Sequence, residues 1–126
     1  MLINLTNHPS SRWDSLQTDA ARREFSAILD YQFPYVSTSW STAEVAEAAE
    51  RVVKDCLAIL ANAGPGRHAV HIMGEMTLSF ATVALLQKAR VLCLASATER
   101  IVRMEGPRQE SYFAFVAFRA YPELCQ

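Results

Sequence analysis

The sequence predicts an α/β fold: a Rossmann-like three-layer sandwich with a mainly parallel central sheet and a C-terminal antiparallel hairpin. Three observations predict it. Short apolar runs alternate with segments of helical spacing in the order βαβαβαβ, which calls for crossovers, parallel strands and helices on both faces. The fourth apolar run, Val91 to Ala95, is apolar on both sides, as a central parallel strand is. Beyond it, two extended runs flank the turn-forming Glu105-Gly106-Pro107-Arg108. At 126 residues the chain is expected to be one domain, 1–126. A chain of this size buries roughly two-thirds of its unfolded surface without needing staples.

Each element has a local reason. Leu2 to Thr6 is an apolar run with β-branched Ile3 and Thr6, the first strand. Thr6-Asn7-His8-Pro9-Ser10-Ser11 is turn chemistry. Ser11 stands three residues before Asp14, so a helix is expected from there to about Phe25, with Trp13, Leu16, Ala20 and Phe25 on its buried side. Ala27 to Tyr31 reads as the second strand, ended by Pro34. Ser41-Thr42-Ala43-Glu44 is a capping box at the head of the longest helix. Val45, Ala49, Val52, Cys56, Ile59 and Leu60 recur along it at helical spacing, and Asn62-Ala63-Gly64-Pro65-Gly66 stops it.

The third strand is expected over His68 to Met73 and the third helix over Thr77 to Ala89, with Leu78, Ala81, Leu85 and Leu86 toward the core. Glu99 to Met104 and Ser111 to Phe118 form the hairpin, with Phe113, Phe115 and Val116 as its apolar content. The alternation does not determine strand order; the Rossmann-like order 3-2-1-4 followed by the hairpin is the expectation.

Composition excludes several functions. The formal net charge of −1 supplies no global basic field to draw the chain to duplex nucleic acid or a membrane, so an anionic ligand must be held by local groups. No apolar run approaches the ~20 residues that span a bilayer. Met-Leu-Ile-Asn-Leu has no basic n-region for a signal peptide. Cys56, Cys93 and Cys125 are odd in number and widely spaced, and Cys56 and Cys93 fall in apolar patterns. Buried free thiols and a reducing cytoplasm follow. His68 and His71 lie three apart in a strand and face opposite ways, so they read as structural histidines and not as a metal pair. No metal or cofactor is expected: there is no carboxylate cluster, no G-x-G-x-x-G, no P-loop and no G-x-S-x-G.

Three polar turns remain, all expected at the carboxyl ends of strands, where open α/β sheets bind ligands. Asn7-His8-Pro9-Ser10-Ser11-Arg12 puts hydroxyls, a helix N-terminus and a cation within six residues, a phosphate-holding set; the same residues also read as a plain cap. In Gly74-Glu75-Met76-Thr77, glycine admits close approach, Glu75 can accept from a base or a ribose, and Thr77 can cap the helix or touch phosphate. In Ser96-Ala97-Thr98-Glu99-Arg100, Thr98 and Arg100 can meet a phosphate, and Glu99 can fix Arg100 or accept from a ribose. Capping and surface ion pairing account equally well for the second and third turns taken singly.

Leu2-Ile3-Asn4-Leu5-Thr6-Asn7-His8-Pro9-Ser10-Ser11, His71-Ile72-Met73-Gly74-Glu75-Met76-Thr77 and Ala95-Ser96-Ala97-Thr98-Glu99-Arg100 resemble a family of small CRISPR-associated proteins. These look like stand-alone relatives of the CRISPR-associated Rossmann-fold (CARF) sensor domain. The resemblance implies a homodimer that binds cyclic oligoadenylate, the messenger of type III CRISPR systems. It further implies a ring nuclease that opens the ring without metal, by attack of a ribose 2′-hydroxyl on the adjacent phosphate. His8, Ser10, Ser11 and Arg12 would then be catalytic: Ser10 or Ser11 with Arg12 on the phosphate, His8 moving a proton. Asn7, Gly74, Glu75, Met76, Thr77, Ser96, Thr98, Glu99 and Arg100 would bind the ligand, with Glu75, Thr77, Thr98 and Arg100 on bases and riboses. Cyclic tetra-adenylate is the expected ring. The same pocket would also serve a non-catalytic sensor or sponge, and a small structural protein would use the turns as caps alone.

Overall fold

The computed structural model describes residues 1–123; Cys125, the third thiol above, lies outside them. The chain runs through β1 (Leu2–Thr6), a 3₁₀ turn (Ser10–Arg12), α1 (Ser15–Glu24), β2 (Ile28–Gln32), α2 (Thr42–Ala63), β3 (Ala69–Met73), α3 (Met76–Lys88), β4 (Leu92–Glu105) and β5 (Arg108–Ala120). The strands form one mixed sheet in the order β2-β1-β3-β4-β5, parallel except for the antiparallel β4–β5 pair.

Alternation along the strands sorts side chains to two faces. Ile3, Leu5, Val70, Ile72 and Cys93 pack against α2 and α3 in one core with Val52, Cys56, Leu78 and Leu86. Leu2, Ala69 and Leu94 pack on the other face against Trp13, Ala21 and Phe25. One helix therefore covers one side and two cover the other. Cys56 and Cys93 are buried free thiols, and burial pushes both up to about 12.

Several boundaries differ from expectation, each for a local reason. The strand order 3-2-1-4 is overturned. It would have put the Ile28–Gln32 strand inside the sheet, but Asp30 and Gln32 are exposed and belong to an edge. The fully buried Leu2–Thr6 strand takes the interior place, between β2 and β3. Ser11 does not cap α1. Residues Ser10–Arg12 tighten into the 3₁₀ turn, Trp13 is extended, and Asp14 caps the helix by accepting from Gln17 N at 2.9 Å. The buried stripe is accordingly Trp13, Gln17, Ala21 and Phe25, four residues apart, and Leu16 is 63% exposed. The Ser41–Glu44 capping box is present as read. Glu75, and not Thr77, is the N-cap of α3.

The largest correction concerns the third polar turn, which is not a turn. Leu92 to Glu105 is one strand, and Ser96 to Arg100 each pair with a β5 residue, with one register shift between Ala97 and Thr98. The stretch has no Gly, Pro, Asn or Asp to break it, and Thr98, Ile101 and Val102 favour extension. Only Leu92 to Leu94 pair with β3, so the hairpin projects past the sheet as a two-stranded ribbon. Its tip is Gly106-Pro107, with Gly106 at φ +59°, the first position of a II′-type turn.

Gly74 follows β3 where the buried Phe33 ring closes over it, and a Cβ there would stand 2.5 Å from the ring. Gly74→Ala is expected to lower stability by about 1–3 kcal/mol through overpacking. The measurement is the urea midpoint, which should fall with an unchanged m-value.

Candidate functional site

The sheet face under α1 changes character halfway along its strands. At the amino ends it is apolar, with Leu2, Ala69 and Leu94. Two residues further on, Asn4, His71 and Ser96 occupy the same face, followed by Thr6 and Met73. The ten residues of α1 reach only about 15 Å, enough to cover the apolar half. Above the polar half lies a cavity of about 740 Å³. Its floor is Thr6, His71, Met73 and Ser96; Asn7, His8 and Arg12 form one rim, with Trp13, Asp14 and Gln17 beside them. Thr98, Phe113 and Phe115 of the hairpin form the opposite wall. The cavity sits at the carboxyl ends of β1 and β3 and against Ser96 and Thr98 of β4, just past its pairing with β3, beside the point between β1 and β3 where the order of connection reverses.

A directed chain of hydrogen bonds runs beneath it. Asn4 Nδ2 donates to Asp30 Oδ1 and to the His8 carbonyl, both at 2.9 Å. Both partners only accept, so the amide orientation is determined and Asn4 Oδ1 faces His71 Nδ1 at 2.9 Å. His71 Nδ1 therefore carries the proton and Nε2 is an acceptor. Ser96 Oγ, 2.7 Å from Nε2, donates to it. Gln17 Nε2 donates to the same hydroxyl oxygen at 3.3 Å. The His71 ring, 3% exposed, stands edge-on to Trp13 and Phe118 at centroid distances of 5.7 and 5.3 Å. Burial pushes it down to about 4, so it is neutral near pH 7. At Asp30, burial raises the carboxyl, but the Asn4 amide and then the Ser10 N–H and hydroxyl outweigh it and leave it below the ordinary value.

The sequence-selected residues separate into groups. Asn7, His8, Arg12, Ser96 and Thr98 come together at the cavity. Arg12 makes no ion pair among the described residues. Ser10 is turned to the edge strand: its N–H and Oγ donate to Asp30 at 3.0 and 2.9 Å. Ser11 is exposed and lines neither cavity. Gly74 to Thr77 lead to the opposite face. Glu75 accepts from the Thr77 and Leu78 N–H groups and from the Thr77 hydroxyl, 2.6 Å away. That hydroxyl, with the two N–H groups, holds its carboxyl below the ordinary value. Met76 and Thr77 line a second, more apolar cavity of about 550 Å³ with Trp40, Val45 and Phe80. Glu99 and Arg100 lie on the ribbon beyond both cavities, and Arg100 is paired opposite Phe113 on the cavity-side face.

Sequence reading passed over Asn4, Asp30 and the pairing of His71 with Ser96. The available signal was polar Asn4 and Thr6, and His71, at alternate positions of otherwise apolar strands. Their meeting depends on β1 and β3 being neighbours with Asn4 in register with His71. His68 is structural as read, bonding the Met1 amine at 2.8 Å and the Gly64 carbonyl at 2.6 Å. Among the described residues no cluster of His, Cys, Asp and Glu could hold a metal ion, and no helix is long and apolar enough to cross a membrane.

His71 has a consequence for stability. Its folded value of about 4 lies below the ordinary 6.5, so the unfolded chain binds more protons in that window. Stability is full above about pH 6.5 and falls toward pH 4, by an amount of order 3 kcal/mol. Urea unfolding at stepped pH should show this loss, and His71→Gln should flatten it; an unchanged slope would assign the loss to other groups.

The family model described as Uncharacterized protein MJ1673 family matches residues 1–119, which include every residue lining both cavities. No curated protein matches the chain.

Proposed function

The chain belongs to the Uncharacterized protein MJ1673 family, and from the pocket it builds we propose that it is a ring nuclease of type III CRISPR signalling. In this reading a CARF-like, Rossmann-like homodimer binds cyclic oligoadenylate, most readily the tetra-adenylate. It opens the ring without metal, to linear products ending in a 2′,3′-cyclic phosphate. The observation that carries the reading is the cavity itself: polar floor, aromatic walls and, at the carboxyl edge of the sheet, an arginine that pairs with no carboxylate among the described residues.

Each part has a task. Arg12 neutralises a phosphate oxygen, with Asn7 beside it. Trp13, Phe113 and Phe115 offer surfaces for adenine, and stacking of this kind contributes about 1–3 kcal/mol per base. Ser96 and Thr98 meet ribose hydroxyls. His8 stands at the rim, where it can protonate a departing oxygen. Rate then comes from holding the 2′-hydroxyl in line with phosphorus and countering charge on the phosphate.

The size of the cavity supports a dimer. A volume of about 740 Å³ suits a drug-sized ligand, so a four-nucleotide ring needs two cavities facing across a two-fold axis. The ribbon is suited to bring them together. Its cavity-side face carries Val102, Met104 and Phe113, all exposed, beside Arg100. Its other face pairs Arg103 with Glu110 and Glu105 with Arg108, opposite charges that suit water. The exposed Phe113 (72%) would be covered, and two Arg100 side chains would join two Arg12 around one ring.

Incubation with cyclic tri-, tetra- and hexa-adenylate in EDTA, followed by chromatography, tests the reading. Linear products with a cyclic phosphate are expected, and Arg12→Ala should weaken ring binding by about tenfold or more, as loss of a charged hydrogen bond does. An intact ring that co-elutes with the protein would make it a sensor or sponge; no binding of any ring would sink both. Sedimentation should give a dimer, and Phe113→Asp should shift it to monomer with a native melting profile.

A further inference from the structure

We infer that Ser96, His71 and Asn4 form a proton relay opening onto the cavity, in which the Ser96 hydroxyl is the group that deprotonates the ligand. Asn4, fixed by Asp30 and the His8 carbonyl, sets the His71 tautomer. That tautomer leaves Nε2 free to accept the Ser96 proton, at 2.7 Å. One lone pair of Ser96 Oγ is taken by Gln17. The other is left for the cavity that Ser96 lines. A hydroxyl joined to a neutral imidazole, which an amide orients in turn, is the nucleophile–base–orienter arrangement that activates a serine oxygen. His8, at the rim, has no such orienting partner for its ring in the described structure.

The step this relay performs rests on the cyclic-oligoadenylate reading; the relay itself does not. The ribose 2′-oxygen forms a bond to phosphorus, and its proton passes to Ser96 Oγ while the Ser96 proton passes to His71 Nε2. The bond from phosphorus to the 5′-oxygen breaks, and that oxygen leaves with the electron pair and takes a proton from the rim or from water. His71 returns its proton through Ser96 to solvent. No water is consumed, and the product keeps a 2′,3′-cyclic phosphate. Ser96 is then a catalytic residue beside Arg12 and His8, and His71 and Asn4 are positioning residues.

Two measurements on the full chain test it. With cyclic tetra-adenylate in EDTA, Ser96→Ala should lose no more than about tenfold in binding, as for one neutral hydrogen bond, but about 100-fold or more in kcat, the usual contribution of a positioned proton acceptor. The Ser96→Ala/His71→Gln double variant should be no slower than the slower single variant, because both act on one proton. Separately, an alkyl fluorophosphonate should label Ser96: a phosphorus–oxygen bond forms, fluoride leaves and the proton goes to His71. Mapping by mass spectrometry should find Ser96 labelled in wild type, but neither Ser10 nor Ser11, and the label lost in a folded His71→Gln. Wild-type kcat in Ser96→Ala would overturn the relay's role in cutting while leaving the ring-nuclease reading intact. Equal labelling of Ser96 with and without His71, or none at all, would overturn the relay itself. Labelling of Ser96 in a protein that binds no ring would uphold the relay and end the ring-nuclease reading.

Discussion

A buried amide in the middle of a parallel sheet must find partners for all of its polar atoms, and Asn4 is 1% exposed. Its solution organises the whole polar half of the fold. One side of the amide holds the edge strand through Asp30 and the loop after β1 through the His8 carbonyl. The other side holds His71 on β3 and accepts from Thr6 at 3.1 Å. The next link reaches β4 at Ser96. Four neighbouring strands and the rim loop are thus referred to one side chain. Removing a partner would leave a buried group unsatisfied at a cost of about 1–3 kcal/mol, so the arrangement resists piecemeal change.

Much of the fold was legible because its signals are local. The Ser41–Glu44 capping box, the Leu2–Thr6 run and the Gly106-Pro107 turn each carry their structure within a few residues. The site was less legible because it is not local. Asn7, His8 and Arg12 could be picked out as a turn, but Asn4 reads as an odd polar residue in a strand until β3 is placed beside it. The polar segment Ser96–Arg100 has the composition of a turn, although the absence of any breaker and its match to β5 make it strand. Helix phase shows the same limit. Ser11 has the spacing of a cap, but burying the Trp13 indole requires an extended residue there, and the helix begins after it.

The sheet order also explains why three polar segments of similar character do not share one cavity. The loop after β1 feeds α1 on one face, and the loop after β3 feeds α3 on the other. The two loops diverge from adjacent strands, which opens the crevice between them and sends Glu75 and Thr77 away from Arg12. Glu75 spends its carboxylate on its own helix N-terminus, a favourable place for negative charge. The remaining wall comes from β4 and β5, which run on past the parallel core.

The links of the Asn4 network join residues 26, 67 and 25 positions apart in the chain. Closing such spans is slow and entropically costly compared with forming the β4–β5 hairpin or a helix. The hairpin can therefore exist early in folding, whereas the cavity floor exists only once β1 has entered between β2 and β3. A molecule that occupies the floor binds the finished fold and no partial one, so it draws the population wholly toward the native state.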